Sequence, residues 1–358
     1  MERQDEMTKP PYCVPSMAEI ESLPWNGYRV ASTFSGCGGS CLGYRMAGYR
    51  VVYANEFIEE AQRTYKANHP NSYLDTRDIR QVTPEGVMEK AGIERGELDL
   101  FDGSPPCSAF STAGKREAGW GKVKAYSDKS QRVDDLFFEY VRLLDGIRPK
   151  VFVAENVSGL VKGTAKGYFK RILAALKEPG YRVTCRVLDA QWLGVPQMRQ
   201  RTIFVGVRED LGIDPVHPQP LLYRYMLGEA VEGLPDGGEA KRLNPGTDTY
   251  RYWVATKPGD DLSIACQQLT GKDSFRTHYK QSPHRQANTI TQGTQQIYHW
   301  AEPRTLTLQE LRRIGGFPDD FELTGNFNQQ WERIGRAVPP VMMSHIAATI
   351  AAKILDKL

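Results

Sequence analysis

Between Tyr28 and Val207 the chain alternates short extended apolar runs with stretches of helical period, and few folds accommodate that rhythm. The runs read "YRVASTF", "YRVVYANE", "NSYLDTRD", "ELDLFDGS", "KVFVAENV", "YRVTCRVLDA" and "RTIFVGV". Helix-like segments such as Glu59–Asn68, Val133–Leu144 and Tyr168–Leu176 lie between them. Strands alternating with helices predict an α/β domain: a doubly wound, mostly parallel sheet covered on both faces. Several runs end in Gly, Asn, Glu or Asp, so polar groups gather at the carboxyl edge, where such sheets bind ligands.

The first run leads into "SGCGGSCLG", a Gly-rich turn that opens a helix. Gly36, Gly38 and Gly39 there permit close approach of a nucleotide or nucleoside to backbone. The next run ends in Asn55 and Glu56, an acidic terminus suited to ribose hydroxyls. The third ends in Asp78 and Ile79, a polar and apolar pair matched to an adenine edge and face. Together these three ends describe an adenosine-containing ligand; the pattern by itself fits a dinucleotide and S-adenosylmethionine equally.

The fourth run continues into "FDGSPPCSAFSTAGKR". Pro105 and Pro106 lack N–H groups and fix the backbone, so the chain leaves its sheet at Cys107 and presents a thiol at the ligand edge. "AENV" places Glu155 at the end of the following strand. "VPQMRQRTIFVG" places Arg199 and Arg201 two residues apart, on one face of an extended segment. A thiol, a carboxyl and a guanidinium at one edge of a nucleoside-binding sheet suit covalent catalysis.

In this order the motifs resemble those of the DNA (cytosine-5) methyltransferases. "TFSGCGG" is similar to the family's cofactor loop, and "GSPPCSAFSTAGKR" to its Pro-Cys nucleophile motif and mobile loop. "ENV", "VPQMRQR", "RTLTLQELRRIGGFPDDF" and "IGRAVPP" resemble its later motifs. The likeness covers roughly Val30 to Val207 and Thr289 to the C-terminus. It implies a class I methyltransferase fold, Rossmann-like, with a small irregular target-recognition domain. It implies S-adenosylmethionine surrounded by Phe34, Gly36, Gly38, Gly39, Glu56, Asp78, Ile79, Pro106 and Leu136. It implies that the Cys107 thiolate attacks carbon 6 of a flipped-out cytosine, that Glu155 protonates ring nitrogen 3, and that Arg201 orients the base with Arg199 in support.

Ser108, Lys115 and Arg116 of the loop behind the nucleophile are then expected to face DNA. Thr291 in "ANTITQG" is expected beside a phosphate, and Arg285 among the basic and aromatic residues that precede it. Ser108 stands where relatives often carry Gln or Asn. The tail motif, usually G-N-A/S-V, reads "GRAV", with Arg336 in place of the asparagine beside the cofactor's donor end. A second cation about 5 Å from a sulfonium, at an effective dielectric of about 20, costs about 3 kcal/mol. A guanidinium instead pairs well with a carboxylate. Two readings therefore stand for Arg336: selection of carboxy-S-adenosylmethionine, giving 5-carboxymethylcytosine, or a turn toward a phosphate or a local Glu.

Composition sets the outer bounds. Of 358 residues 40% are hydrophobic and 25% charged, ordinary for a globular protein large enough for one large domain and a smaller one. A net charge of +3 permits a nucleic-acid partner without requiring one. Six cysteines without a C-x-x-C pair read as free thiols in a reducing compartment, with no metal expected. No secretion leader is visible and no apolar run is long enough to cross a membrane, so a cytoplasmic enzyme is expected. The expected boundaries are a loosely ordered extension over 1–26, a catalytic domain over 27–207, a recognition domain over 208–288 and a returning segment over 289–358. Double-stranded DNA is the expected partner, a cognate restriction endonuclease is compatible with the pattern, and the chain reads as a monomer. The rivals are a catalytically silent DNA-binding relative, disfavoured by an intact Cys107, Glu155 and Arg201, and a tRNA methyltransferase, disfavoured because its Cys-Phe-Thr signature is absent.

Overall fold

The structure is a computed structural model. It describes residues 9–106, 123–125, 130–132, 136–161, 166–235, 237–293 and 296–358. In chain order the elements are α1 (Met17–Ser22), β1 (Arg29–Thr33), α2 (Gly39–Met46), β2 (Arg50–Asn55), α3 (Glu59–Asn68), β3 (Tyr73–Asp75), α4 (Pro84–Ala91), β4 (Leu100–Gly103), β5 (Val123–Ala125) and β6 (Ser130–Arg132). They continue as α5 (Leu136–Ile147), β7 (Val151–Val157), α6 (Lys166–Lys177), β8 (Tyr181–Asp189), β9 (Gln200–Arg208), α7 (Leu227–Val231), α8 (Asp248–Ala255), α9 (Ser263–Thr270), β10 (Tyr279–Lys280), β11 (Ile297–Tyr298), α10 (Leu308–Ile314), α11 (Phe327–Arg336) and α12 (Pro340–Lys353).

The main sheet has seven strands in the order β3-β2-β1-β4-β7-β9-β8. The five strands from β3 to β7 are parallel, and β9 runs antiparallel to both β7 and β8. Alternation along each strand sends neighbours to opposite faces. Val30, Leu100 and Val151 enter one core with α12 and α2, whereas Ala31, Phe101 and Phe152 enter the other with α4, α5 and α6. The predicted strands and the three predicted helices are present among the described residues, with ends shifted by up to three residues, and positions 133–135 of the second helix lie outside them. The reversal at β9 has a consequence for chemistry: it brings the start of that strand, not its end, to the carboxyl edge of the parallel strands.

The apolar tail packs back onto the large sheet. Met342, Met343, Ile346, Ala347 and Ile350 of α12 are buried against α2. The helices approach closely at Gly43, where a Cβ would lie 2.5 Å from the Pro340 carbonyl oxygen.

Two expected boundaries differ from the packing. Residues 9–26 are docked rather than loosely ordered. Ser16 and Glu19 form a reciprocal cap on α1, Ile20 is buried beside Cys37 and Leu42, and the Tyr12 hydroxyl donates 2.5 Å to the Arg313 carbonyl. A polar, proline-containing composition concealed one apolar anchor and one reciprocal cap. The region after Val207 is also not one irregular unit. Leu211, Ile213 and Val216 pack on the main core, and α7 packs on α10. A separate small core holds Tyr252, Trp253, Leu262, Ala265, Cys266 and Tyr298, so it reaches past residue 288 to β11. Its helices α8 and α9 have eight residues each, too short to show a sustained period.

Candidate active site

The cofactor half of the site sits at the ends of β1, β2 and β3. Gly36 and Gly38 adopt φ of +57° and +90°, and a Cβ on Gly36 would meet no atom within 4 Å. The turn is therefore open at Gly36, while Gly38 and Gly39 are backed by His69 and the Val338 carbonyl, a path that glycine takes without strain. Glu56 is fixed beneath it: one carboxylate oxygen accepts from the Gly36 amide at 2.8 Å and the other from the Ile58 amide at 2.6 Å. Burial pushes this carboxyl above its usual range, opposed by the two amides and by Arg333 and Arg336. Asp78 caps the turn over 79–81 through the Arg80 amide at 3.0 Å, and Ile79 is buried beside it. These groups fit an adenosine-bearing cofactor: a glycine backbone open at Gly36, a carboxylate fixed by two amides and an Asp–Ile pair one strand further. Phe34, at φ +54°, and Leu136, wholly buried, both pack into the α4–α5–α6 core. That is the ordinary role of such side chains.

The catalytic half lies at the ends of β4 and β7 and the start of β9. Cys107, Ser108, Lys115 and Arg116 lie outside the described residues. Their immediate predecessors do not: the Asn156 amide donates to the Pro105 carbonyl at 3.2 Å, tying the exit of β4 to the end of β7. Register places Val157 opposite Arg201, and the Arg201 Nε sits 2.6 Å from Glu155 Oε1. Both side chains are largely shielded, so the pair holds its geometry in reduced dielectric.

Arg199 does not join them. It is 1% exposed and donates to the carbonyls of Ile290 and Gly335, each at 2.9 Å. Burial and the neighbouring Arg201 hold its pKa well below that of an ordinary arginine. Residue 199 precedes β9, so the two arginines do not share one strand face, as their spacing suggested. Arg199 instead fastens the approach to β9 onto "ANTITQG" and the end of α11. Gln197 and Trp331 add to this fastening, Gln197 meeting the Ile290 amide at 3.2 Å and Trp331 donating to the Thr291 carbonyl at 3.0 Å. Thr291 is thereby set between recognition region and catalytic edge. Arg285 donates to the Gly259 carbonyl at 3.3 Å within the recognition region. Arg336 forms an ion pair with Glu332 one turn back, at 2.6 Å.

The C-5 cytosine-specific DNA methylase model matches residues 28–352. The chain belongs to that family. It is a DNA cytosine-5 methyltransferase. Type II methyltransferase M.NgoPII of Neisseria gonorrhoeae is 30% identical to it, covering 93% of this chain and 98% of that relative. Type II methyltransferase M.MthTI of Methanothermobacter thermautotrophicus is 31% identical over 90% and 96%. In fold the methyltransferase resembles a DNA modification methyltransferase encoded within an E. coli prophage (TM-score 0.71, 23% identity, 92% of this chain and 100% of that one). It also resembles Spodoptera frugiperda DNMT2 (TM-score 0.62, 18% identity, 89% and 98%).

Two residues of the methyltransferase's site escape a reading of motifs. Asn156 stands inside "ENV", but nothing local signals that it reaches back to Pro105. Asp102 interrupts the apolar run "DLFDG", and that interruption is its signal. It accepts from the Ser32 hydroxyl at 2.8 Å and the Tyr44 hydroxyl at 3.0 Å, tying β4 and β1 to α2 beneath the glycine turn. Burial pushes its carboxyl up to about 7.

Proposed function

We propose that Cys107 is the nucleophile, and that Glu155 and Arg201 activate and orient a cytosine extruded from duplex DNA. The observation that carries this reading is the Glu155–Arg201 pair at 2.6 Å, one residue from the Asn156 tether that holds Pro105. The cradle of Gly36, Gly38, Glu56, Asp78 and Ile79 holds S-adenosylmethionine, which when bound supplies an electrophilic methyl group to carbon 5. Pro106 closes this cradle toward the nucleophile.

The Cys107 thiolate forms a bond to carbon 6 as Glu155 delivers a proton to ring nitrogen 3, so charge does not accumulate on the ring. Arg201 holds the base oxygen and Arg199 holds the strand that carries Arg201. After methylation, which leaves the donor as its neutral thioether, the carbon 5 proton leaves to water, Glu155 takes back the nitrogen 3 proton, the carbon 6–sulfur bond breaks and Cys107 departs as thiolate. The target atoms are unreachable inside a stacked duplex, which is why the base is flipped. Ser108, Lys115, Arg116, Arg285 and Thr291 contact the DNA around it. The chain acts in the cytoplasm as a monomer, and a cognate endonuclease would share its recognition sequence.

For the donor, the Arg336–Glu332 pair favours unmodified S-adenosylmethionine. The guanidinium already has a carboxylate, as the local-Glu reading of the sequence expects, and a donor carboxylate is not needed to neutralise it. The proposal is tested with duplex DNA carrying 5-fluorocytosine at the methylated position. Fluorine cannot leave as a proton does, so a denaturation-resistant protein–DNA adduct accumulates with wild type and not with Cys107→Ser. Equal trapping by both proteins would overturn the assignment.

A further inference from the structure

Behind the glycine turn stands a buried histidine with no part in the chemistry above. His69 ends α3, is 2% exposed, and stacks on Tyr65 with ring centres 4.5 Å apart. Its Nδ1 lies 3.2 Å from Arg45 Nη1. A guanidinium has only donors, so Nδ1 accepts and the ring proton resides on Nε2. That Nε2 is buried without a hydrogen-bond partner and lies against the backbone of Gly38. The ring edge fills the volume behind Gly38: a Cβ there would lie 2.1 Å from Nε2 and 2.5 Å from Cδ2. Burial and Arg45 bring the ring's pKa down to about 3, so it stays neutral.

Arg45 is itself held. It donates to the Asn68 carbonyl at 2.7 Å and to Glu21 of α1 at 2.6 Å, and Asn71 donates to the other Glu21 oxygen at 2.9 Å. The family match begins at residue 28, so Glu21 lies in a segment preceding it.

We propose that His69 is a positioning residue for the cofactor turn, its tautomer set by Arg45, and that Glu21 couples the N-terminal segment to cofactor binding through this relay. The inference rests on the reading that the Gly36–Gly39 turn holds S-adenosylmethionine. The relay acts on binding: a turn braced from behind keeps its amides aimed before the cofactor arrives, and the cost of ordering them is not met again on binding. Chemistry at Cys107 is left to other residues.

The test uses full-length wild type, Glu21→Gln, Arg45→Met, His69→Gln and His69→Phe. Calorimetry gives the S-adenosylmethionine Kd, steady-state turnover on duplex DNA gives kcat and KM, and ring 15N shifts give the His69 tautomer. Wild type should show a single Nε2–H tautomer that does not titrate down to pH 5. Arg45→Met should show mixed tautomers and a Kd weakened about tenfold, with kcat at saturating cofactor unchanged. His69→Phe should lose a similar factor, whereas His69→Gln, which keeps a donor near the Nε2 position, should stay within roughly threefold of wild type. Glu21→Gln, on an exposed side chain, should weaken Kd about threefold and keeps the test open if Arg45→Met does not fold. If wild type binds S-adenosylmethionine and the variants match it in Kd and tautomer, the relay is wrong. If wild type itself does not bind, the reading of the turn is wrong and the relay falls with it.

Discussion

The side-chain amide of Asn156 donates to the carbonyl of Pro105 at 3.2 Å, joining the end of β7 to the residue two before Cys107. Displacing a nucleophile by about 1 Å can cost about 100-fold in rate. Asn156→Ala should therefore slow adduct formation on 5-fluorocytosine DNA by at least about tenfold, with S-adenosylmethionine affinity unchanged. Rapid-quench gels and calorimetry on one preparation check both halves. A parallel loss of cofactor affinity would show that the tether supports the whole edge instead of the nucleophile.

Glu155 touches Arg201, and the proposed proton delivery requires a carboxyl at that place. Glu155→Gln should lower kcat by about 100-fold to 10,000-fold while DNA affinity changes little, the range for removal of a general acid. Single-turnover methylation and gel shift measure the two quantities. A variant with near wild-type kcat would remove Glu155 from the mechanism.

Arg199 and Arg201 should separate by phenotype. Arg199→Met leaves the Ile290 and Gly335 carbonyls without their buried donor and should cost about 2 kcal/mol in urea unfolding. Arg201→Met leaves the shielded Glu155 without its partner and so should also lower stability, but it should abolish turnover, whereas Arg199→Met should retain part of it. Equally complete loss of turnover in both folded variants would mean that the two arginines do not divide in this way.

Asp102 makes stability depend on pH. Its folded pKa of about 7 lies above the ordinary carboxyl value, so between the two the unfolded chain binds fewer protons than the folded one. Stability contributed by the protonated form is then present at low pH and lost as pH rises toward 7. Relative to Asp102→Asn, wild type should lose a few kcal/mol, at most about 4, between pH 4 and pH 7, with no further change above. Urea melts of both proteins at pH 5 and pH 8 decide it, and a pH-independent difference would contradict the assignment.

Donor choice follows from Arg336. With Glu332 at 2.6 Å, an equal mixture of S-adenosylmethionine and carboxy-S-adenosylmethionine should give 5-methylcytosine almost exclusively in nucleosides from modified DNA. A predominance of 5-carboxymethylcytosine would mean that Arg336 leaves Glu332 for the donor. It would make that arginine the residue that defines the product.

Much of the molecule is written in local sequence. Short apolar runs and the helix-period stretches between them marked the sheet and its covering helices, because β1, β4, β7 and β9 are buried on both faces and read as near-continuous apolar segments. The polar residues at or near the strand ends marked the ligand edge: Glu56 directly follows β2, Asp78 lies three residues past β3, and Glu155 sits two residues before the end of β7. The docking of residues 9–26 was not legible, since Ile20 meets Cys37 and Leu42 only after the chain has folded back. Nor was the true reach of the small core, whose Tyr298 lies beyond the predicted boundary.

What sequence alone determined was therefore the α/β class, the family and the residue types carried to one edge. Tertiary structure decided which of them meet. Arg199 and Arg201 are two apart, yet one is enclosed among carbonyls 91 and 136 residues away and the other faces Glu155 across an antiparallel pair. Arg336 is aimed by Glu332 and set near Glu56 by the return of the C-terminal helices. Periodicity is fixed by the backbone within a few residues, whereas the partner of a long charged side chain is fixed by where distant segments pack.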